Sequence, residues 1–246
     1  MAHQTGRCPS TRGHVLAARL SPRYSPRMSR SPVTADDTQL AVRLAVQTLS
    51  QAANREVAEW DVKAGSLDWT CWETAEHLAD DLFAYTARMG PASPPLNGRV
   101  PFANDPRRPG APDNTIYVDR EQGPAGLVQA VDACGGLLIA MLRTVSPDVR
   151  AFHIFGVADP EGFAAMGVTE TLVHAYDLAQ GLGLAWDPPA GLCAQVLARL
   201  FPDVPAHAAD PWSVLLWATG RGDLPGQDRR TTWRWYAEPT KRTLVR

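Results

Sequence analysis

Lysine is almost absent from this chain. Of its 24 basic residues only Lys63 and Lys241 are lysines, and the other 22 are arginines. Folding does not demand that ratio, which reflects coding in a GC-rich genome. An excess of positive charge is also missing: the formal net charge is −2 over 246 residues, so a nucleic-acid partner is not indicated. No run approaches the 18 or so uninterrupted apolar residues of a membrane span, and no span is expected. The four cysteines, Cys8, Cys71, Cys134 and Cys193, lie far apart without a C-x-x-C pair. That spacing argues against a cysteine zinc site and a disulfide framework, and a cytoplasmic location is expected. What is present is ordinary for a soluble domain: 45% hydrophobic and 20% charged residues, in a chain long enough to bury a full core.

The basic residues are unevenly spread. Residues 1–35 contain six arginines and no acid, with much Ser and Pro and no helical periodicity. This segment is expected to be disordered, with Met28 as a candidate initiator. Without it the chain holds 18 basic against 26 acidic residues. A first helix is predicted from about Asp37 to Trp60 on the spacing of Leu40, Leu44, Leu49, Ala53 and Val57. Thr70-Cys71-Trp72-Glu73 reads as a capping box that opens a second helix, which Gly90 ends. Residues 90–122, rich in Pro and Gly, form a long crossover of the kind that lines a site, with Thr115–Val118 its one strand-like run. Gly123-Pro124 opens a third helix that ends at Ser146-Pro147, and its Gly135-Gly136 pair permits close packing. Asp159-Pro160 opens a fourth, reaching about Gln180. Two shorter helices start at Asp187-Pro188 and Asp210-Pro211, and Thr231–Tyr236 is a strand candidate. The organisation expected is a basic tail (1–35), a four-helix bundle (36–184) and a small α/β appendage (185–246).

The fourth helix carries the chemistry. Glu170, His174 and Asp177 fall within a stripe about 60° wide at 100° per residue. Phe163, Met166, Leu172, Val173 and Leu178 surround it, which is the pattern of a buried helix. A Glu-His-Asp stripe in such a helix is costly unless the groups are hydrogen-bonded to one another or ligate a metal, and the pattern alone leaves both open. His77 lies seven residues after the start of the second helix, and His174 seven before Gly181. Antiparallel packing would therefore place the two histidines at one height, about 10.5 Å from a shared end. The helical wheel argues the other way: Glu73, Asp80 and Asp81 share the His77 side, as on a solvated face.

The segments Trp72–Leu82 (WETAEHLADDL) and Gly162–Gly183 (GFAAMGVTETLVHAYDLAQGLG) resemble the DinB-like superfamily, in particular the metal-binding domain of the mycothiol-dependent maleylpyruvate isomerases. The family pattern is a histidine in the second helix followed much later by E-x-x-x-H-x-x-D. It corresponds here to His77, Glu170, His174 and Asp177. Asp210–Arg221 and the Trp233-Arg234-Trp235 segment are similar to the tail region of actinobacterial members, which suits the arginine bias. The resemblance implies an up-down-down-up four-helix bundle and one divalent metal, most often zinc, held by His77, Glu170 and His174 with a position left open. It implies a supporting role for Asp177, mycothiol as thiol cosubstrate, and a small-molecule substrate met by a monomer or homodimer without nucleic acid or membrane.

Arg221 either caps a helix end or holds a substrate carboxylate. His153 is either a satisfied buried histidine or a pocket wall, and Cys71 and Cys134 are packing residues. Three functions compete. They are a metal-dependent thiol enzyme that isomerises or S-transfers to a small electrophile, a non-catalytic metal or small-molecule binding protein, and a metal hydrolase.

Overall fold

The computed structural model describes residues 30–204 and 209–239. Most of the arginine-rich segment, with Met28, His3, His14 and Cys8, lies outside the described residues, as does His207. The end of that segment which is described is seated rather than loose. Arg30 pairs with Glu161, the Val33 side chain is buried, and its N–H donates to Glu161.

The described residues form six α-helices: α1 (Ala35–Leu49), α2 (Cys71–Met89), α3 (Gly123–Thr144), α4 (Pro160–Leu182), α5 (Ala190–Leu200) and α6 (Pro211–Ala218). Their starts follow local chemistry. Thr34 and Asp37 form a capping box on α1, Thr70 and Glu73 one on α2, and Asp159 and Asp210 accept the first free N–H groups of α4 and α6. The helix predicted to reach Trp60 stops at Leu49. Ser50 Oγ bonds back to the Val46 carbonyl, and two 3₁₀ turns (Ser50–Ala52, Val57–Asp61) fold the chain over so that buried Trp60 donates to the Ala52 carbonyl.

α1 and α2 each pack on α3 and α4, and α5 covers the outer side of α4 and carries α6. One core runs through all six helices, from Val42 and Leu78 through Leu138 and Met166 to Val196 and Leu215. Two helix approaches need glycine. A Cβ on Gly135 would sit 2.6 Å from Val42 Cγ1, and one on Gly181 would sit 2.5 Å from both Cys71 Sγ and the Lys63 carbonyl. The second contact brings the start of α2 against the end of α4, so these helices run antiparallel. Residues 120–144 are the one helical stretch among the described residues long and apolar enough to cross a membrane. In the fold, Leu127, Val131 and Leu138 on it are fully buried in the shared core.

Both strand expectations are corrected. The described residues hold a single two-residue ladder, β1 (Asp105–Pro106) with β2 (Asp113–Asn114). Thr115–Val118 makes no ladder because the carboxylates of Asp80 and Glu76 take the N–H groups of Thr115, Ile116 and Val118. Thr231–Tyr236 joins no ladder, and it starts with a bend at Thr231 and Thr232. The Tyr236 N–H donates to the Leu200 carbonyl at the end of α5, and the Tyr236 carbonyl accepts from Arg199. Among the described residues the C-terminal region is therefore helical with an unpaired strap, which corrects the α/β expectation.

Candidate metal centre

α2 has an acidic outer face, and residues 90–122 lie on it. Arg108 pairs with Glu73 at 2.7 Å and Arg107 with Glu76 at 2.9 Å, while Asp80 accepts two backbone N–H groups at 2.7 and 2.8 Å. The crossover turns what would be a solvated face into an interior one. His77, Asp81, Ala84 and Arg88 recur on α2 at one-turn spacing. They line a cavity of about 250 Å³ whose opposite wall includes Trp69, Arg99 and Phe102. His77 is thus neither in bulk water, as its helical wheel suggested, nor in an apolar core.

The structure brings His77 and His174 together, with ring centroids 5.4 Å apart and nearly perpendicular planes. Trp69, on the approach to α2, sits beside both rings at 4.8 and 6.3 Å. Each imidazole has one nitrogen engaged by an acceptor. His77 Nδ1 lies 3.1 Å from Asn114 Oδ1, and His174 Nδ1 lies 3.2 Å from Asp177 Oδ2. With the proton on Nδ1 in each case, both Nε2 atoms present lone pairs. They meet carboxylate oxygens rather than donors: Asp81 Oδ2 at 3.3 Å from His77 Nε2, and Glu170 Oε2 at 3.2 Å from His174 Nε2. Asp81 Oδ2 is shielded from water and has no hydrogen-bond partner. Glu170 Oε1 accepts from the Tyr85 hydroxyl at 3.4 Å.

The electrostatics are those of acceptors crowded together. Burial pushes the Asp81 carboxyl up to about 6, aided by the charge of Glu170 and opposed by His77. Burial also works to raise Glu170, but the hydrogen bond and charge of His174 outweigh it and hold the carboxyl below its ordinary value. Burial opposes the charged form of His174 too, yet its bonds to Asp177 and Glu170 lift it to about 9. Without a cation, a proton on His174 is what separates the two carboxylates. Two imidazoles and the carboxylates of Asp81 and Glu170, with the Tyr85 hydroxyl as the neutral donor toward Glu170, suit a divalent cation that takes the place of the His174 proton. His77, Asp81 and His174 each present one ligand atom within 4.8 Å of the others.

Asp177 is buried between His174 and Arg221. Arg221 Nε lies 3.0 Å from both carboxylate oxygens and Nη2 2.7 Å from Oδ2, while Nη1 donates to the Thr219 carbonyl at the end of α6. The fork that a substrate carboxylate would need is therefore taken by Asp177, which corrects that reading of Arg221. The guanidinium neutralises the carboxylate that orients His174. His153 lies apart from the centre, buried among Tyr85, Phe155 and Trp235, with Nδ1 accepting the Phe155 N–H at 3.2 Å. It is a satisfied core histidine. Cys71 and Cys134 are buried, and burial pushes their thiols up to about 12 and about 11.

Sequence reasoning missed Asp81, Asn114, Tyr85 and Trp69. Asp81 carried a signal, since i,i+4 from His77 puts both on one face, but that face read as solvated. Asn114 and Trp69 sit in irregular chain, where no period marks them.

No family model and no curated protein matches the chain. Two solved structures are similar to it, the crystal structure of a mycothiol-dependent maleylpyruvate isomerase and that of a histidine-to-alanine mutant of the same enzyme. Their identities are 18% and 17%, each with a TM-score of 0.49 and a match covering 76% of this chain and 88% of the other.

Proposed function

We propose that this protein is a divalent-metal-dependent thiol enzyme of the maleylpyruvate isomerase type, on a DinB-like up-down-down-up four-helix bundle in a reducing cytoplasm. It would act on a small electrophile by isomerisation or S-transfer. The observation that carries the metal part is that His77, Asp81 and His174 each place one ligand atom within 4.8 Å of the others, with Glu170 Oε2 3.2 Å from His174 Nε2 and both Nδ1 atoms engaged elsewhere. The thiol part rests on the sequence pattern shared by His77, Glu170, His174 and Asp177 with that family.

His77, Glu170 and His174 would hold the cation. Bound there, it would supply a Lewis acid able to stabilise a thiolate at neutral pH. The chain's own residues do the rest. Asn114 and Asp177 fix the two imidazole orientations, as partners of metal-ligating histidines do, and Arg221 offsets the charge of Asp177. The cavity beside the centre admits a small molecule between Trp69, Phe83 and Phe102, and Arg88 and Arg99 in its lining suit an anionic group. The described cysteines, Cys71, Cys134 and Cys193, are free, buried and pushed to about 11 or 12 by burial. None of these three is suited to act as the thiolate, so the reactive thiol would arrive as a separate small molecule.

Elemental analysis of the purified chain tests the metal. About one divalent ion per chain is expected, and a Glu170→Ala, His174→Ala double variant should lose it. Full occupancy in that variant would end this reading. With cobalt in the site, mycothiol should produce a sulfur-to-metal charge-transfer band. Cobalt bound without that band at saturating mycothiol would put the hydrolase and binding-protein alternatives ahead.

A further inference from the structure

We propose that Asp81 is a fourth metal ligand, which makes the centre a two-histidine, two-carboxylate site suited to an ion that takes five or six ligands rather than to tetrahedral zinc with an open position. This rests on the metal reading above and changes its consequences.

The two adjacent aspartates of α2 show why. Asp80 has a structural task, since Oδ1 holds the N–H groups of Thr115 and Ile116. Asp81 has none. Its Oδ2 is shielded from solvent, accepts no hydrogen bond, and lies 3.3 Å from His77 Nε2, which presents a lone pair when Nδ1 carries the proton toward Asn114. Arg88, two turns further along the same face, forms no ion pair with it, and Arg88 Nη1 is itself without a hydrogen-bond partner. A buried carboxylate oxygen left against another acceptor is unfavourable. A cation between them removes the conflict. Glu170 makes the matching contact with His174 on the other helix. The four donors therefore come as two helix-borne i,i+4 pairs, His77 with Asp81 and Glu170 with His174.

Three consequences follow from the charge and number of donors. Two carboxylates neutralise a divalent cation, whereas one leaves it positive. Four protein donors fill the tetrahedron that zinc prefers, so an exogenous thiol would have to displace one of them or expand the shell. Manganese, iron(II) or cobalt, which accept more ligands and tolerate mixed imidazole and carboxylate donors, would retain room for the thiol. Asp81 lines the cavity together with His77, so a carboxylate is among the donors facing the entering molecule.

The test compares cobalt affinity and cobalt absorption spectra in the full-length wild-type chain, Asp81→Asn and Asp113→Asn. Asp113 borders the same cavity and is exposed, so its variant reports the general effect of losing one negative charge. Asp81→Asn should weaken cobalt binding tenfold or more in a chelator competition. It should also convert a weak, higher-coordinate visible spectrum into an intense four-coordinate one. Asp113→Asn should change affinity less than threefold and leave the spectrum as it was. Melting curves show that the variants are folded, and the isosteric Asn breaks no hydrogen bond at position 81. Unchanged affinity and spectrum in Asp81→Asn, with cobalt bound by the wild type and lost on Glu170→Ala, His174→Ala substitution, would overturn the role of Asp81 alone. A wild-type chain that binds no cobalt, manganese or zinc would overturn the metal reading and this inference together.

Discussion

Burial pushes the His153 imidazole down to about 3, and the nearby Arg88 charge adds to the shift. The neutral ring is what the fold accommodates, with Nδ1 accepting from the Phe155 N–H. In the unfolded chain the same ring takes up a proton near pH 6.5. Below that pH the unfolded state binds more protons than the folded one, so stability falls as pH falls from about 6.5 toward 3. The contribution approaches about 1.4 kcal/mol per pH unit within that window and is absent above it. Urea unfolding at pH 7, 6 and 5 should show this decline in the wild type. His153→Gln, which keeps an acceptor but cannot take up a proton, should decline less steeply. Parallel slopes in the two proteins would mean that His153 is not the group responsible. The Asp81 carboxyl, at about 6, titrates in the same window with the opposite sign, but it is common to both proteins, so the difference between the two slopes reports His153.

At the scale of elements, α2 does two jobs on one outer face, and both depend on residues 90–122 lying over it. Its buried acids are the anchor points for that crossover. Asp80 is the clearest, since one oxygen satisfies the N–H groups of both Thr115 and Ile116. Asp80→Ala leaves two backbone donors without partners at a cost of roughly 1–3 kcal/mol each. Amide hydrogen exchange at Thr115 and Ile116 should accelerate in that variant by at least tenfold, while amides in the middle of α3 stay protected. Equal exchange in both proteins would show that the crossover is held by other contacts. The same face explains what the sequence revealed and what it hid. The caps at Thr70, Asp159 and Asp210 are local patterns and could be read directly, as could the buried stripe of Glu170, His174 and Asp177 at helical spacing, whereas the same Asp-Pro pattern at Asp187-Pro188 does not cap α5, which starts at Ala190. The height match of His77 with His174 followed from helix rise alone. The polarity of Glu73, Glu76, Asp80 and Asp81 was equally visible, but a face covered by chain some 30 to 40 residues away has the same local pattern as one covered by water. That ambiguity hid Asp81, and it also made Thr115–Val118 look like a strand.

For the whole molecule, the central question is whether α1–α4 can stand without the C-terminal region. α4 is buried on nearly every side, and part of that cover is α5, whose Leu192, Cys193, Val196 and Leu200 belong to the same core. Trp186 Nε1 donates to the Leu172 carbonyl in the middle of α4. Arg199, with no exposed surface, reaches Asp159 Oδ1 at 2.9 Å and the carbonyls of Tyr236 and Ala237 at 3.1 Å each. The same Asp159 oxygen caps α4 through the Gly162 N–H at 2.7 Å. One guanidinium thus joins the start of α4, the end of α5 and the C-terminal strap. Removing one partner of a buried charge pair costs about 3–5 kcal/mol, and in a chain of this size each kcal/mol shifts melting by about 2–4 °C. Arg199→Ala should therefore lower the melting temperature by roughly 10 °C in a single transition. A chain of residues 30–183 would expose the α5-facing side of α4 as well, and it should show no cooperative melt at all. A sharp transition in that shortened chain within a few degrees of the full protein would establish α1–α4 as an independent unit, and the C-terminal region would then be an appendage in the thermodynamic sense too.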